Sequence, residues 1–540
     1  LFQLLLELGS AMKWLKDPVG DNHPKVGFIY RLTRRFTRAL VSVWFREIDL
    51  IDSDNLPTEG GILFIAWHPS GLIDPMLMHA SLPGKQSMIA KHTLFKIPVL
   101  GRFIKAAGAL PIERSQDSDN REAASNRNKN QLSAVSSAVA NGGRLIIFPE
   151  GTSHTEASSK QARSGAARII QAAIREAEEL GKARPQLVPI GLHYSDATTF
   201  RERCAVVIER PMTLPQLPEI IEDFEVQDKL DREWVTSVTT SIDSELKRAS
   251  LSKTSWEERE FIWRGKGVVH AERARQMGES FKKPTYYQSV LGARRIRAGW
   301  EFMAQNEPEK TAKIVEDCTA HFANLDDRGI SPLDVDSKPE RMSTSAGFIL
   351  IVKWAWAAVW MLGLITWSAV IGNMPAYQAN YLLMHFAKKS DAVDKSVLGT
   401  YKVLAAVITF PIWWVIASLM VTWSLLSKAS PVNELLSMHW LLEYLTHLPF
   451  FFVFLIFMYW WPNSAKLHLK LYANLVRSHR SLKRWSRWSD DEIGWESLQQ
   501  NQQSIAQQLT QLGDGLVLPG DPDWVEPQTG MDDFSAVSYR

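Results

Sequence analysis

Cysteine is nearly absent from this chain: Cys204 and Cys318 are the only two in 540 residues. That excludes a disulfide-stapled scaffold and a cysteine-rich zinc module, and it fits a folded part kept in a reducing compartment. Net charge is missing too. The 61 basic and 59 acidic residues leave a formal charge of +2, so whole-chain affinity for nucleic acid, which needs a basic excess or stripe, is not expected. There is no His-Glu-x-x-His and the thirteen histidines are scattered, so no metal site is expected. A Gly-x-Ser-x-Gly nucleophile elbow is absent as well.

What is present in excess is tryptophan, with 21 copies, ten of them between Trp354 and Trp461. The same region holds the longest runs free of Asp, Glu, Lys and Arg, at 354–387, 403–427 and 444–465. About 20 apolar residues cross a ~30 Å hydrocarbon layer, so these runs are candidate membrane segments, and Trp423, Trp440, Trp460 and Trp461 suit interfacial belts. The first run is interrupted at Gly372-Asn373-Met374-Pro375 and is followed by Lys388, Lys389, Lys395 and Lys402. Positive-inside reasoning puts that loop and the basic tail on the cytoplasmic side. A hairpin that dips in and returns near Pro375 keeps the front of the chain on that side too. Residues 25–46 and 466–487 carry six and seven basic residues and no acid, interleaved with apolar ones. Each reads as a basic amphipathic helix for a lipid surface or as a helix packed on its own domain with a solvated basic face. The tail 513–540 is expected to be poorly ordered.

From 53 to 214 the pattern changes. Short apolar runs at 62–66, 87–90, 109–112, 144–148, 187–193 and 205–208 read as strands, with helical segments clearest at 122–140 and 165–180. The expected fold is an α/β domain with a mixed sheet and flanking helices, then a helical region to 340 and C-terminal transmembrane helices.

Four blocks in the α/β part carry chemistry. His68-Pro-Ser-Gly-Leu-Ile-Asp74 follows the first strand. A carboxylate that meets the imidazole across a curled turn would fix its tautomer and leave the other nitrogen to accept a proton; the alternative has His68 capping a turn and Asp74 a helix. Gly-Ala-Leu-Pro-Ile-Glu-Arg114 ends in a guanidinium whose fork suits a phosphate, or an ordinary surface ion pair. Phe148-Pro-Glu150-Gly151-Thr152-Ser-His154 places a glycine and hydroxyls after a buried strand. Val188-Pro-Ile-Gly-Leu-His-Tyr194 is an apolar strand whose proline favours a sheet edge.

Together the four blocks, in this order, resemble the glycerolipid acyltransferase family, which acylates glycerol-3-phosphate and 1-acylglycerol-3-phosphate. The resemblance covers roughly residues 60–215. The family's first block is His-x4-Asp, usually after Asn; here five residues separate His68 from Asp74 and Trp67 stands where Asn is usual. Some members with an extended Leu-Ile-Asp-Pro form carry the same extra residue, and Ile73, at the usual spacing, cannot serve. The resemblance implies His68 as general base, Asp74 as its orienting carboxylate, and Arg114 as the phosphate ligand, with Glu150, Gly151 and Thr152 at the acceptor backbone and hydroxyls. Lys91, just beyond the second strand, is a further phosphate contact or a solvated lysine. No cofactor is implied; acyl-CoA or acyl carrier protein is the co-substrate. Residues 321–335 and 375–406 are similar to the C-terminal half of fungal glycerol-3-phosphate/dihydroxyacetone-phosphate acyltransferases.

The expected division is amphipathic membrane-associated helices at 1–52, the acyltransferase domain at 53–214, a helical region at 215–340, a membrane-spanning region at 341–465 and a basic helix with polar tail at 466–540. Within the membrane region the hairpin occupies 347–387 and the spans 403–427 and 440–461. The expected protein is a multi-pass membrane acyltransferase with its catalytic domain facing the cytoplasm and membrane lipids as partners. Two alternatives stay open: a remodelling enzyme using a lysophospholipid with a bulkier head group, and a lipid-binding scaffold without turnover.

Overall fold

The computed structural model describes residues 27–98, 100–112, 121–279, 282–335, 343–388, 398–438 and 443–540. Helix α1 (Phe28–Trp44) leads into strand β1 (Phe45–Ile51). There follow β2 (Ile62–Ala66), α2 (Ile73–Ser81), β3 (Gln86–Lys91), α3 (Leu100–Ala106), β4 (Ala109–Ile112) and α4 (Arg121–Ala140). The unit ends with β5 (Arg144–Ile147), α5 (Gly165–Glu179), β6 (Gln186–Tyr194) and β7 (Glu202–Ile208). The seven strands form one sheet in the order β1-β7-β6-β2-β5-β3-β4. All neighbours are parallel except β6 and β7.

Alternation along the central strands builds two cores. Ile62, Phe64 and Ala66 face α1 and α2, whereas Leu63 and Ile65 face α4, α5 and α6 (Phe224–Ala249). Helices α7 (Trp256–Gln276), α8 (Tyr286–Asn306) and α9 (Pro308–Arg328) complete the helical region. Strand β1 is not among those expected from sequence, because Glu47 and Asp49 interrupt its apolar run. Their carboxylates accept the backbone N–H groups of Tyr286 and Tyr287 at 2.7 Å each, which satisfies donors that the start of α8 would otherwise leave open.

Two local expectations need correction. β6 is not an edge strand, since it pairs with both β2 and β7. Its proline is tolerated because the β7 ladder begins only at Ile190, and the Pro189 carbonyl accepts from Glu209 N–H beyond the end of β7. Helix α1 packs on α2 with part of its basic face turned inward. Arg34 is buried and donates to the carbonyls of Leu82 and Gly84, and Arg38 Nε donates to Ala80 at 3.1 Å. Cations thus cover the carboxyl end of α2, as the helix dipole favours. Phe28, Ile29 and Leu32 remain exposed on the outer face.

Beyond residue 343 run α10 (Thr344–Met361), α11 (Leu364–Lys388), α12 (Leu398–Leu426), α13 (Phe450–Asp490) and α14 (Glu492–Gly513). Among the described residues, α10 and α12 are long and apolar enough to cross a membrane, with mean hydropathies of 1.4 and 2.2. The expected hairpin at Pro375 does not form. The helix breaks at Leu362-Gly363 instead and continues through Pro375. A proline frees the carbonyl four residues earlier; that carbonyl, on Ile371, accepts the indole N–H of Trp413 at 2.9 Å. Contacts of Gly347 with Trp485, Thr366 with His468 and Gly372 with Trp461 show α10 and α11 running in one direction, antiparallel to α13. The expected span at 440–461 differs as well. Residues 439–442 lie outside the described set, and α13 starts at Phe450 and joins the apolar segment to the basic one in a single helix.

The tail is not poorly ordered. After α14, strands β8 (Leu516–Val517) and β9 (Ser538–Tyr539) pair, and Leu516, Leu518 and Val537 are buried against the helical region. Ion pairs pin it there: Arg294 to Asp533 at 2.8 Å and to Glu526 at 2.7 Å. The boundary expected at 466 therefore falls inside α13, and residues 492–540 pack with the helical region.

Two buried histidines set an acid limit on the fold. Desolvation, with Arg34 and Arg38 nearby, pushes His79 down to about 3. Desolvation, with Arg259 nearby, does the same to His193. Below the unfolded value near 6.5 the unfolded chain takes up protons that the folded chain refuses, so stability falls as pH drops from about 6.5 towards 3. Each histidine costs up to ~1.4 kcal/mol per pH unit in that window. Melting in detergent should occur at a lower temperature at pH 5.5 than at pH 7.5, and His193→Gln should shrink the difference. An unchanged difference in that variant would remove His193 from the account.

Candidate active site

Strands β2 to β6 run parallel, so the segments leaving their carboxyl ends emerge along one sheet edge, where α/β folds place their ligands. β2 delivers Trp67 and His68. The chain then turns through Gly71 at φ 51° into α2, whose first turn carries Asp74. That turn absorbs the extra residue in the spacing: His68 Nδ1 lies 2.8 Å from Asp74 Oδ2. The same oxygen accepts Ser70 N–H at 2.7 Å, and Oδ1 accepts the Tyr194 hydroxyl at 2.6 Å. The fully buried carboxylate is thus surrounded by donors, which makes His68 Nδ1 the protonated nitrogen and leaves a lone pair on Nε2. Nε2 has no hydrogen-bond partner among the described residues. The ring stacks on Phe148 at 4.2 Å and 17°, and its side chain keeps 16% of its exposure.

Tyr194 ends β6 and is the residue the sequence reading missed. Burial, then the charge of Asp74, pushes its phenol well above the usual range, so it stays a donor. A tyrosine closing an apolar strand beside a known site edge was the available signal.

Glu150, expected at the acceptor, has a buried carboxylate bonded inside the protein. Oε2 accepts His68 N–H at 3.1 Å and faces His154 Nε2 at 3.0 Å, and Oε1 accepts Lys160 N–H at 3.2 Å. His154 Nδ1 in turn accepts Glu156 N–H, so Nε2 is the protonated nitrogen and donates to Glu150. His154 N–H donates to the His68 carbonyl at 3.1 Å. The loop after β5 is thereby fastened to the backbone of His68. Gly151 and Thr152 sit half-buried in that loop. Gly151 has φ 74°, and an added Cβ would meet the Arg163 side chain at 3.2 Å. Arg163, exposed and overlooked in the sequence, lies against the loop backbone.

Trp67, where Asn is usual in the resembling family, ties strands together. Its indole donates to the Leu192 carbonyl at 2.8 Å, and the Arg259 guanidinium lies 5.3 Å from its ring. Burial lowers Arg259 to about 10, still charged at neutral pH, and the group holds the carbonyls of Ser250 and Leu251. Lys91 is the last residue of β3, half-buried and in register with Ile112, two positions before Arg114. Arg114 itself lies outside the described residues. Among the described residues there is no cluster of three potential metal ligands.

A carboxylate-oriented imidazole with an open nitrogen at a sheet edge can accept a proton from a hydroxyl. Comparison with known families gives that geometry its context. Residues 47–193 match the Acyltransferase family model. The matched segment starts in β1 and contains His68, Asp74, Glu150, Gly151 and Thr152, stopping one residue short of Tyr194. No curated protein matches the chain. The crystal structure of the 1-acyl-sn-glycerophosphate (LPA) acyltransferase PlsC from Thermotoga maritima is similar at 17% identity, with a TM-score of 0.27, over 44% of this chain and 86% of that one.

Proposed function

We propose that the chain is a membrane-bound glycerolipid O-acyltransferase. It moves a fatty acyl group from acyl-CoA or acyl carrier protein to a hydroxyl of glycerol-3-phosphate or 1-acylglycerol-3-phosphate. The observation that carries this reading is the His68–Asp74 pair inside the segment that matches the Acyltransferase family, completed by Tyr194 one residue beyond its end.

In this reading the acceptor hydroxyl gives its proton to His68 Nε2 as its oxygen attacks the thioester carbonyl. Asp74 stabilises the imidazolium that forms, and the proton passes to the departing thiolate when the tetrahedral intermediate collapses. Arg114 and Lys91 hold the acceptor phosphate, and Gly151 and Thr152 contact its glycerol part. Glu150 serves from behind, keeping that loop against His68. The resemblance of residues 321–335 and 375–406 to fungal glycerol-3-phosphate/dihydroxyacetone-phosphate acyltransferases favours the smaller acceptor.

Exposed apolar faces on α10–α13, including Phe348, Trp356, Ile408, Met420 and Phe451, have no protein cover and suit a bilayer. A cytoplasmic acyltransferase domain is supported by Cys204 and Cys318, buried as free thiols, and not by a hairpin at Pro375. Purified full-length protein in lipid, given acyl-CoA or acyl carrier protein with each acceptor, should release thiol in an acceptor-dependent way. Absence of release with both donors and both acceptors would end the enzyme reading in favour of a lipid-binding scaffold.

A further inference from the structure

Helix α2, which carries Asp74, begins without a cap of its own. Its N-cap residue is Leu72, whose side chain accepts no hydrogen bond, and Pro75 in the first turn has no N–H to satisfy. The start of a helix leaves backbone donors open, and a side-chain oxygen normally takes one of them. Here that oxygen comes from 328 positions away: Thr400 Oγ1, in the first turn of α12, accepts Leu72 N–H at 2.8 Å.

Several neighbouring contacts make this a built joint. A Cβ added at Gly399 would lie 2.6 Å from Ile73 Cδ1 and 3.0 Å from the Ala197 carbonyl, so only glycine lets α12 approach this closely. Lys402 Nζ donates to the Thr198 carbonyl at 2.7 Å, in the loop that follows Tyr194. Val403 is buried in the same core as Ile73 and Phe64, with Val407 packed against it. The first turns of α12 therefore touch the 70–73 turn, whose Ser70 N–H donates to Asp74, and the loop at 197–198 that follows Tyr194. The remainder of the same helix is the most apolar one described. Asn380 of α11 holds the joint from the membrane side, donating to the Lys402 carbonyl at 3.0 Å.

We infer that Thr400 is a positioning residue for the acyl transfer, acting through α2 on the Asp74–His68 pair, so that the apolar bundle forms part of the catalytic geometry. This rests on the acyltransferase reading above. The Thr400 hydroxyl keeps Leu72 N–H satisfied and α2 in place, and without it the turn from Ser70 to Asp74 loosens and His68 loses its fixed orientation. Displacements of about 1 Å at such a site can cost up to ~10²-fold in rate.

The test compares Thr400→Val, which keeps the volume and removes the acceptor, with Thr400→Ser, which keeps the acceptor, in full-length protein in lipid. Thr400→Val should lower kcat about ten- to hundredfold with little change in KM for donor or acceptor, while Thr400→Ser should restore at least half of the activity. Amide hydrogen exchange supplies a readout that needs no turnover. Peptides covering Gly71–Met76 should exchange faster in Thr400→Val than in wild type or Thr400→Ser, with those covering α5 unchanged. Wild-type kcat and exchange in Thr400→Val would overturn the inference. So would a Thr400→Ser variant as impaired as Thr400→Val, since packing would then be the cause. If wild-type protein turns over no substrate, the acyltransferase reading fails, and the exchange comparison alone decides whether Thr400 holds the turn.

Discussion

His68→Ala is expected to lower kcat for acyl transfer by about 10²–10⁴-fold, the range that a positioned general base contributes. An alcohol is a poor nucleophile at neutral pH, so the step depends on a base held where the proton leaves. His68 is suited to that task on three counts: Nδ1 is engaged by Asp74, Nε2 is open, and the ring is clamped flat on Phe148. The substitution removes the imidazole without touching Asp74, Ser70 or Tyr194, whose mutual bonds remain. Backbone N–H and carbonyl of residue 68 keep their partners Glu150 and His154, so the loop after β5 should stay in place. The loss should therefore appear in kcat with folding unchanged, as judged by melting temperature. Retained full activity in His68→Ala would show that another group takes the proton.

Much of this site could be seen in the sequence because it is local. His68 and Asp74 share one strand-to-helix turn, and Glu150-Gly151-Thr152 one strand end, so the resemblance carried by those short blocks could point to them. What spacing could not show were partners supplied from afar. Tyr194 lies 120 positions from Asp74 and Thr400 lies 328 from Leu72, and neither carries a local pattern that names its target. The same holds for β1, whose Glu47 and Asp49 look like surface charges until α8 arrives to use them. Pro375 misled for a related reason: a proline reads as a break unless a donor such as the Trp413 indole is known to be waiting. In the tail, expected to be poorly ordered, acidic residues are the distant partners of Arg294 and Arg297 on α8. Amphipathic period told the truth about α1 as a helix but not about its orientation, since Arg34 and Arg38 answer the carbonyls at the end of α2.

Asp74→Ala is expected to cost roughly 10²–10⁴-fold in kcat, by a route different from that of His68→Ala. Removal of the carboxylate leaves Ser70 N–H and the Tyr194 hydroxyl without their acceptor, frees the imidazole to rotate, and withdraws the charge that steadies the imidazolium. Asp74→Asn should do less damage, and the contacts explain why. With its oxygen towards Ser70 and His68 and its amide towards the tyrosine oxygen, asparagine can keep the tautomer while losing the charge. The opposite flip would set an amide donor against two donors at Oδ2. Groups that act as one unit are strongly non-additive. The double variant His68→Ala/Asp74→Ala should therefore be about as slow as His68→Ala alone, because a carboxylate with no imidazole to orient has nothing left to contribute. If the two losses multiply instead, Asp74 works on the substrate independently of His68. In that case its role as the orienting group, deduced from a 2.8 Å bond and a buried site full of donors, is wrong.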